Sequence, residues 1–215
     1  KFSEKEYFET VERCLNVETA LDRHITIMDR YDPARRVALV VDEWGTWWDV
    51  EPGTNPGFLY QQNTMRDAIV AGLSLNYFNE RCERVKMANI AQTVNVLQSL
   101  ILTDGEKMLL TPTYHVFEMY KVHHDATLLP LHLNCGNYSL DGREVPSLSA
   151  SASRDAKGAV NISLVNVDPS TESEVLIDLR GGEFSAVTGR VLTGTELNAH
   201  NTFDRSETVR PVAFT

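Results

Sequence analysis

Cysteine is scarce in this chain: Cys14, Cys82 and Cys135 are odd in number and far apart. That spacing excludes a disulfide framework and a paired-cysteine zinc site, and it leaves free thiols in a reducing, cytoplasmic compartment as the expectation. Long apolar runs are also missing, so hydropathy gives no membrane-spanning helix. Basic charge is in deficit, with 20 Lys and Arg against 30 Asp and Glu and a formal net charge of -10 at pH 7. No concentration of cations is there to neutralise a phosphate backbone, which argues against nucleic acid as a partner. Neither an initiator Met nor a leader opens KFSEKEYFET, and internal repeats and low-complexity tracts are absent. The chain therefore reads as a fragment of a longer coding sequence.

What is present suits a folded protein. The 215 residues are 42% hydrophobic and 23% charged, enough apolar material for one large domain or two small ones. Ser3-Glu4-Lys5-Glu6 fits a capping box, and Tyr7, Val11, Cys14, Leu21, Ile25 and Met28 follow at helical spacing. Asp32-Pro33 ends that helix. The valine-rich run Val37–Val41 is too short for a typical helix and reads as a strand buried on both faces. A connection of roughly twenty residues, Trp44 to Asn63, comes next, long beside the usual four to six or so. It holds the turn signals Glu51-Pro52-Gly53 and Asn55-Pro56-Gly57. Thr64-Met65-Arg66-Asp67 can cap a second helix that frays near Asn79. Arg84–Met87 reads as a second strand, and Ile90, Val94, Leu97 and Ile101 repeat at the spacing of a further helix.

That order predicts a βαβ arrangement with parallel strands and a right-handed crossover. Thr111-Pro112 opens one more helix through Val116, Met119 and Tyr120. After Asp125 the texture changes to Ser, Thr, Asn and Val. GAVNISLVNV and SEVLIDLRG read as strands of an antiparallel β-sandwich, separated by Asp168-Pro169-Ser170. The terminal RPVAFT carries no closing strand pattern. Two domains are expected, residues 1–124 and 125–215.

The chemistry concentrates in VALVVDEWGTWW, residues 37–48, where an apolar strand runs into Asp42 and Glu43 and then three tryptophans. Loops at the carboxyl ends of parallel strands form the site-bearing face of an α/β unit. Strand side chains alternate, so Glu43 is expected to share a face with Val37, Leu39 and Val41, and Asp42 one with Ala38 and Val40. Adjacent acids that point apart cannot serve as a general acid/base pair. One reading makes both acids ordinary strand-end charges and the tryptophans core residues. The other gives a carboxylate flanked by aromatic faces, suited to stabilising or attacking a sugar at an oxocarbenium-like transition state. His115, His123 and His124 lack the i, i+4 spacing of a zinc pair and read as surface or interface residues, with Glu118 as helix-surface charge.

VVDEWGTWWDVEPGTNPGFLYQQNTMRDAIVAGL, RVKMANIAQTVNVLQSLILT and TPTYHVFEMYKVHHDATLLPL occur in one order, and together they closely resemble the α-L-arabinofuranosidases of glycoside hydrolase family 51. The resemblance covers most of residues 1–133 and is looser over 134–215. It implies an α/β plus all-β fold, the last βα units of a (β/α)8 TIM barrel followed by part of an antiparallel β-sandwich. Val37–Glu43 would be the seventh barrel strand, and Arg84–Met87 part of the eighth. In the family's DEW motif the Glu is the nucleophile of a retaining mechanism, and Glu43 occupies that position. Trp47 matches an aromatic lining the sugar site, and Gln92 matches a glutamine that hydrogen-bonds the bound arabinofuranose. Read without the family, Gln92 is a helix-capping polar residue. Trp44 and Asn89 join the expected substrate contacts. No metal or organic cofactor is implied. Arabinose-containing oligo- or polysaccharide is the expected partner, and the resemblance suggests a homo-oligomer.

A retaining glycosidase needs two carboxyl groups about 5–5.5 Å apart. The family's acid/base, a Glu after Asn at the end of the fourth strand, has no counterpart here. Glu51, Glu80, Glu83 and Glu106 do not match its position. The chain alone is therefore expected to be poorly stable, with an unpaired parallel edge, and inactive. A related barrel endoglucanase and a non-catalytic carbohydrate-binding protein are the alternatives.

Overall fold

The computed structural model describes residues 2–182 and 186–214 and is a mixed α/β protein. Helix α1 spans Glu4–Tyr31. Ser3 caps it as expected: its hydroxyl accepts from Glu6 N at 3.3 Å, while Glu6 Oε2 accepts from Ser3 N at 2.7 Å. Such a cap contributes about 1 kcal/mol. Asp32 closes the helix through its N–H to Met28 O at 2.7 Å. Strand β1, Leu39–Trp44, then leads through the long connection into helix α2, Met65–Glu80, and strand β2, Val85–Ile90. β1 and β2 pair in parallel, as the βαβ reading requires.

The expectation of a strand buried on both faces is not met. Leu39 and Val41 pack toward the helices, while Val40 and Met87 are 43% and 55% exposed. β1 and β2 form a two-stranded sheet, and among the described residues nothing covers its second face.

The expected helix over Ile90–Ile101 is also absent. Those residues run from the end of β2 through an irregular segment into the hairpin β3, Ile101–Asp104, and β4, Lys107–Leu110. Asn95 and Gln98 take positive φ (54° and 50°), which breaks helical continuity, and the segment folds around buried Leu97, Gln98 and Ser99 instead. Helix α3 follows at Pro112–Tyr120, and Thr111 caps it.

The later residues form small antiparallel sheets. β5 (Thr127–Leu128), β8 (Leu148–Arg154) and β9 (Val160–Asn166) pair in the order β5-β8-β9. β6 (Asn137–Leu140) and β7 (Arg143–Pro146) form a hairpin. SEVLIDLRG is not a strand. No strand lies alongside it among the described residues, and Leu176 stands 96% exposed. A strand exists only where a neighbour takes its hydrogen bonds. The chain end does close: β11, Pro211–Phe214, pairs antiparallel with β10, Gly189–Leu192.

The two expected parts share a core. Tyr7, Phe8 and Val11 of α1 and Leu73 and Tyr77 of α2 pack in one cluster with Tyr138, Val145, Val165 and Val167. Tyr7 donates its hydroxyl to Val167 O at 2.6 Å, and Asn76 Nδ2 donates to Ser149 Oγ at 3.0 Å. Gly72 is what lets β9 approach α2, since a Cβ there would lie 2.7 Å from a Val165 methyl. Gly→Ala inside a helix ordinarily stabilises by about 0.5–1 kcal/mol. Here overpacking dominates, and Gly72→Ala is expected to destabilise by about 1–3 kcal/mol, read from the urea midpoint. A midpoint at or above that of the parent would contradict the close approach.

His123 joins the same junction, with one ring nitrogen 2.7 Å from Ser153 Oγ and the other 2.8 Å from Ser163 Oγ. Burial, and then the neighbouring His124, hold its pKa below the ordinary 6.5. A base whose folded pKa is lowered contributes stability above its unfolded pKa and loses it as pH falls through the folded value. Urea stability is therefore expected to decline as pH drops below about 6.5. His123→Asn should flatten part of that slope, with His115, which burial also lowers, contributing another part. An unchanged slope would remove His123 from the account.

Candidate active site

β1 reaches the carboxyl end of the sheet with an irregularity that the sequence conceals. Val41 pairs with Ala88 and Trp44 with Ile90, so three steps on β1 meet two on β2. The extra residue is a bulge, and it resets the alternation. Leu39, Val41 and Trp44 all pack on the helix side, while Asp42 and Glu43 are both exposed. Regular alternation had put Glu43 on the face of Leu39 and Val41. In the folded chain Trp44 takes that place and Glu43 is released to the open side.

Trp44, expected among the substrate contacts, is partly buried and packs against the core. Phe117 stacks on it with centroids 5.8 Å apart, and Phe78 meets it edge-on at 5.3 Å. Its indole N–H is buried with no partner among the described residues. Trp47 is the exposed member of the trio, at 66%. Ala91 N donates to Trp44 O at 3.0 Å, which sets the end of β2 beside the end of β1. Glu43, Asn89 and Gln92 thus belong to the carboxyl ends of two neighbouring parallel strands, and all three are exposed. The hydroxyls of Ser153 and Ser163 already hold His123, and Glu118 pairs with Lys121 at 2.8 Å.

A buried carboxylate that the sequence reading treated only as a helix cap organises this end of the molecule. Asp67 is fully buried. Its Oδ1 accepts from Thr46 Oγ1 at 2.8 Å, Trp48 Nε1 at 2.8 Å and Gln98 Nε2 at 3.2 Å. Its Oδ2 accepts from Thr64 N at 2.8 Å and Thr64 Oγ1 at 3.0 Å. Gln98 also reaches the Thr46 hydroxyl. Gln61 adds a further tie, accepting from Trp48 N at 2.8 Å and donating to Thr46 O at 3.2 Å. Both faces of the Arg66 guanidinium are covered, by Trp48 at 3.6 Å and Phe2 at 3.8 Å, and burial lowers its pKa from the usual range. The segment leaving Glu43, the start of α2 and the loop after Gln92 are therefore fastened at one point. Thr64-x-x-Asp67 was the visible signal, but Thr46, Trp48 and Gln98 carry no motif that links them to it.

Residues 42–215 match the family described as the alpha-L-arabinofuranosidase C-terminal domain. The chain belongs to that family. Along its whole length it is 51% identical to an intracellular exo-α-L-arabinofuranosidase of Bacteroides ovatus, of which it spans 42%. The crystal structure of a family 51 arabinofuranosidase from Xanthomonas axonopodis superposes on all of the chain with a TM-score of 0.98 at 49% identity, and the chain covers 44% of it. A Thermotoga maritima α-L-arabinofuranosidase, solved as an arabinose complex, matches 97% of the chain with a TM-score of 0.72 and 25% identity. The chain thus spans less than half the length of these arabinofuranosidases. Among its described residues no helix is long and apolar enough to cross a membrane.

Proposed function

We propose that this chain is the carboxy-terminal part of a retaining α-L-arabinofuranosidase that releases terminal arabinofuranosyl groups from arabinan, arabinoxylan or their oligosaccharides. The observation that carries the reading is the 51% identity, over every residue of the chain, to the exo-acting Bacteroides enzyme. The placement of Glu43 supports it, exposed at a strand end and followed in the next loop by exposed Trp47. We read α1-β1-α2-β2 as the closing units of a (β/α)8 barrel, residues 1–124, and residues 125–215 as the attached β-sandwich. The intracellular location and a homo-oligomeric assembly belong to the same proposal.

In this mechanism Glu43 attacks the anomeric carbon, and the bond to the leaving oxygen breaks as a glycosyl-enzyme ester forms. A second carboxyl group protonates that oxygen and then takes a proton from water, which cleaves the ester. Trp47 offers its indole face to the sugar, and Gln92 and Asn89 offer amides to its hydroxyls.

Product analysis of the full-length protein tests the reading. Free arabinose from arabino-oligosaccharides, with no shortening of a glucan chain, is the expected result. Shortened glucan would favour an endoglucanase, and sugar binding without turnover a carbohydrate-binding protein. The 215-residue chain alone is expected to show no turnover, because none of its carboxylates matches the family's acid/base position. Turnover by that chain, lost in Glu43→Gln, would overturn this expectation.

A further inference from the structure

Away from the strand ends, the loop that follows β1 helps to build a concavity. A cavity of about 230 Å³ lies between the tip of that loop, the segment after Gln92, and Phe203. Its walls include the rings of Phe58, Tyr60 and Phe203 and the polar groups of Asn55, Asn95 and Thr103, with no charged side chain among the lining residues. Phe58 is 66% exposed in this chain.

The polar groups are arranged with donors to spare. Asn95 grips Thr103 twice, Nδ2 to Thr103 Oγ1 at 2.8 Å and Thr103 N to Asn95 Oδ1 at 2.8 Å. That grip uses the Thr103 oxygen as acceptor and leaves its O–H to donate. Asn55 Oδ1 takes Gly57 N at 2.9 Å, while its amide N–H groups and the Tyr60 hydroxyl have no partner among the described residues. Aromatic rings beside free neutral donors suit an uncharged polyhydroxylated ligand, whose C–H faces meet the rings and whose oxygens accept. An anion would find no cation here.

We propose that this cavity is a subsite for a neutral sugar unit of the aglycone, the part of the substrate left behind when the arabinofuranosyl group departs. The proposal rests on the arabinofuranosidase reading. Continuity of the chain argues for that occupant: the same two loops that make the cavity carry Trp47 and Gln92 nearer the strand ends. A substrate held by both regions would present its terminal group at Glu43 and its next units to the aromatic walls.

Two substrates separate the subsite from the reaction centre. An aryl α-L-arabinofuranoside has no sugar aglycone, whereas a linear arabinotriose has one. In the full-length protein, Phe58→Ala should lower kcat/KM for arabinotriose about tenfold and leave the aryl substrate within about twofold, the scale of one lost aromatic contact. Tyr60→Phe, which removes only a hydroxyl, should move the same ratio in the same direction. Equal effects on both substrates, or none on either, would overturn the subsite. Should the unaltered protein cleave neither substrate, the arabinofuranosidase reading fails. Calorimetric titration with arabinotriose then decides the cavity alone: binding lost in Phe58→Ala supports it, and absence of binding overturns it.

Discussion

Glu43→Gln in the full-length protein is expected to lower kcat for an aryl α-L-arabinofuranoside by about 10⁴-fold or more, the scale of losing a covalent nucleophile. Stability should barely change. Glu43 is exposed, and among the described residues it makes no hydrogen bond or ion pair whose loss would register in folding. An unchanged urea midpoint beside vanished turnover is therefore the signature. Smaller variants sharpen the test, since Glu43→Gly leaves room for azide to attack the anomeric carbon from the vacated side. Formation of the inverted arabinosyl azide would assign Glu43 the nucleophile's role. Retention of more than about a tenth of the parent kcat in Glu43→Gln would remove that role.

Asp67→Ala is expected to behave in the opposite way, with folding lost first. Five donors converge on this fully buried carboxylate, from Thr46, Trp48, Gln98 and twice from Thr64. A buried donor left without an acceptor costs about 1–3 kcal/mol. Some of these groups will find water or one another, so about 3–5 kcal/mol of destabilisation is expected overall. Asp67→Asn keeps one acceptor oxygen and should cost less, and Trp48→Phe, which gives up one donor and part of the ring over Arg66, less again. The order Ala, Asn, then Trp48→Phe in urea midpoints checks the convergence. A loss below about 1 kcal/mol for Asp67→Ala would mean that the five bonds are not formed together.

The contrast between these two acids shows what the sequence could reveal. Glu43 stands out as a candidate because DEW followed by two more tryptophans is a local pattern, to which the family resemblance attaches a role. The parallel pairing of β1 with β2 followed from the order of the elements. The capping boxes at Ser3 and Thr64, the end of α1 at Asp32, and α3 were legible because each is set within a few residues. Features that depend on a distant neighbour were not. The bulge between Val41 and Trp44 exists only relative to β2, and it moved Glu43 to the open side and Trp44 into the core. Ile90, Val94, Leu97 and Ile101 imitate a helix by spacing, yet the segment is held by Gln98 and Ser99 reaching other parts of the chain. SEVLIDLRG has a strand's composition without a strand beside it among the described residues, while RPVAFT lacks the composition but finds β10. Asp67 looked like a cap and is also the fastening of three segments.

The core that α1 and α2 share with β6, β7 and β9 has a consequence for how such chains can be recombined. Phe8 meets Tyr138 edge-on at 5.2 Å, and Tyr7 is fastened to Val167. The strands after residue 125 are thus not a portable module that could be grafted onto another catalytic scaffold, or deleted from this one, by cutting the connection. Their apolar faces are written to fit two particular helices. The halves must be inherited, exchanged or redesigned as one unit, with the helical side constraining substitutions on the strand side as tightly as it constrains its own.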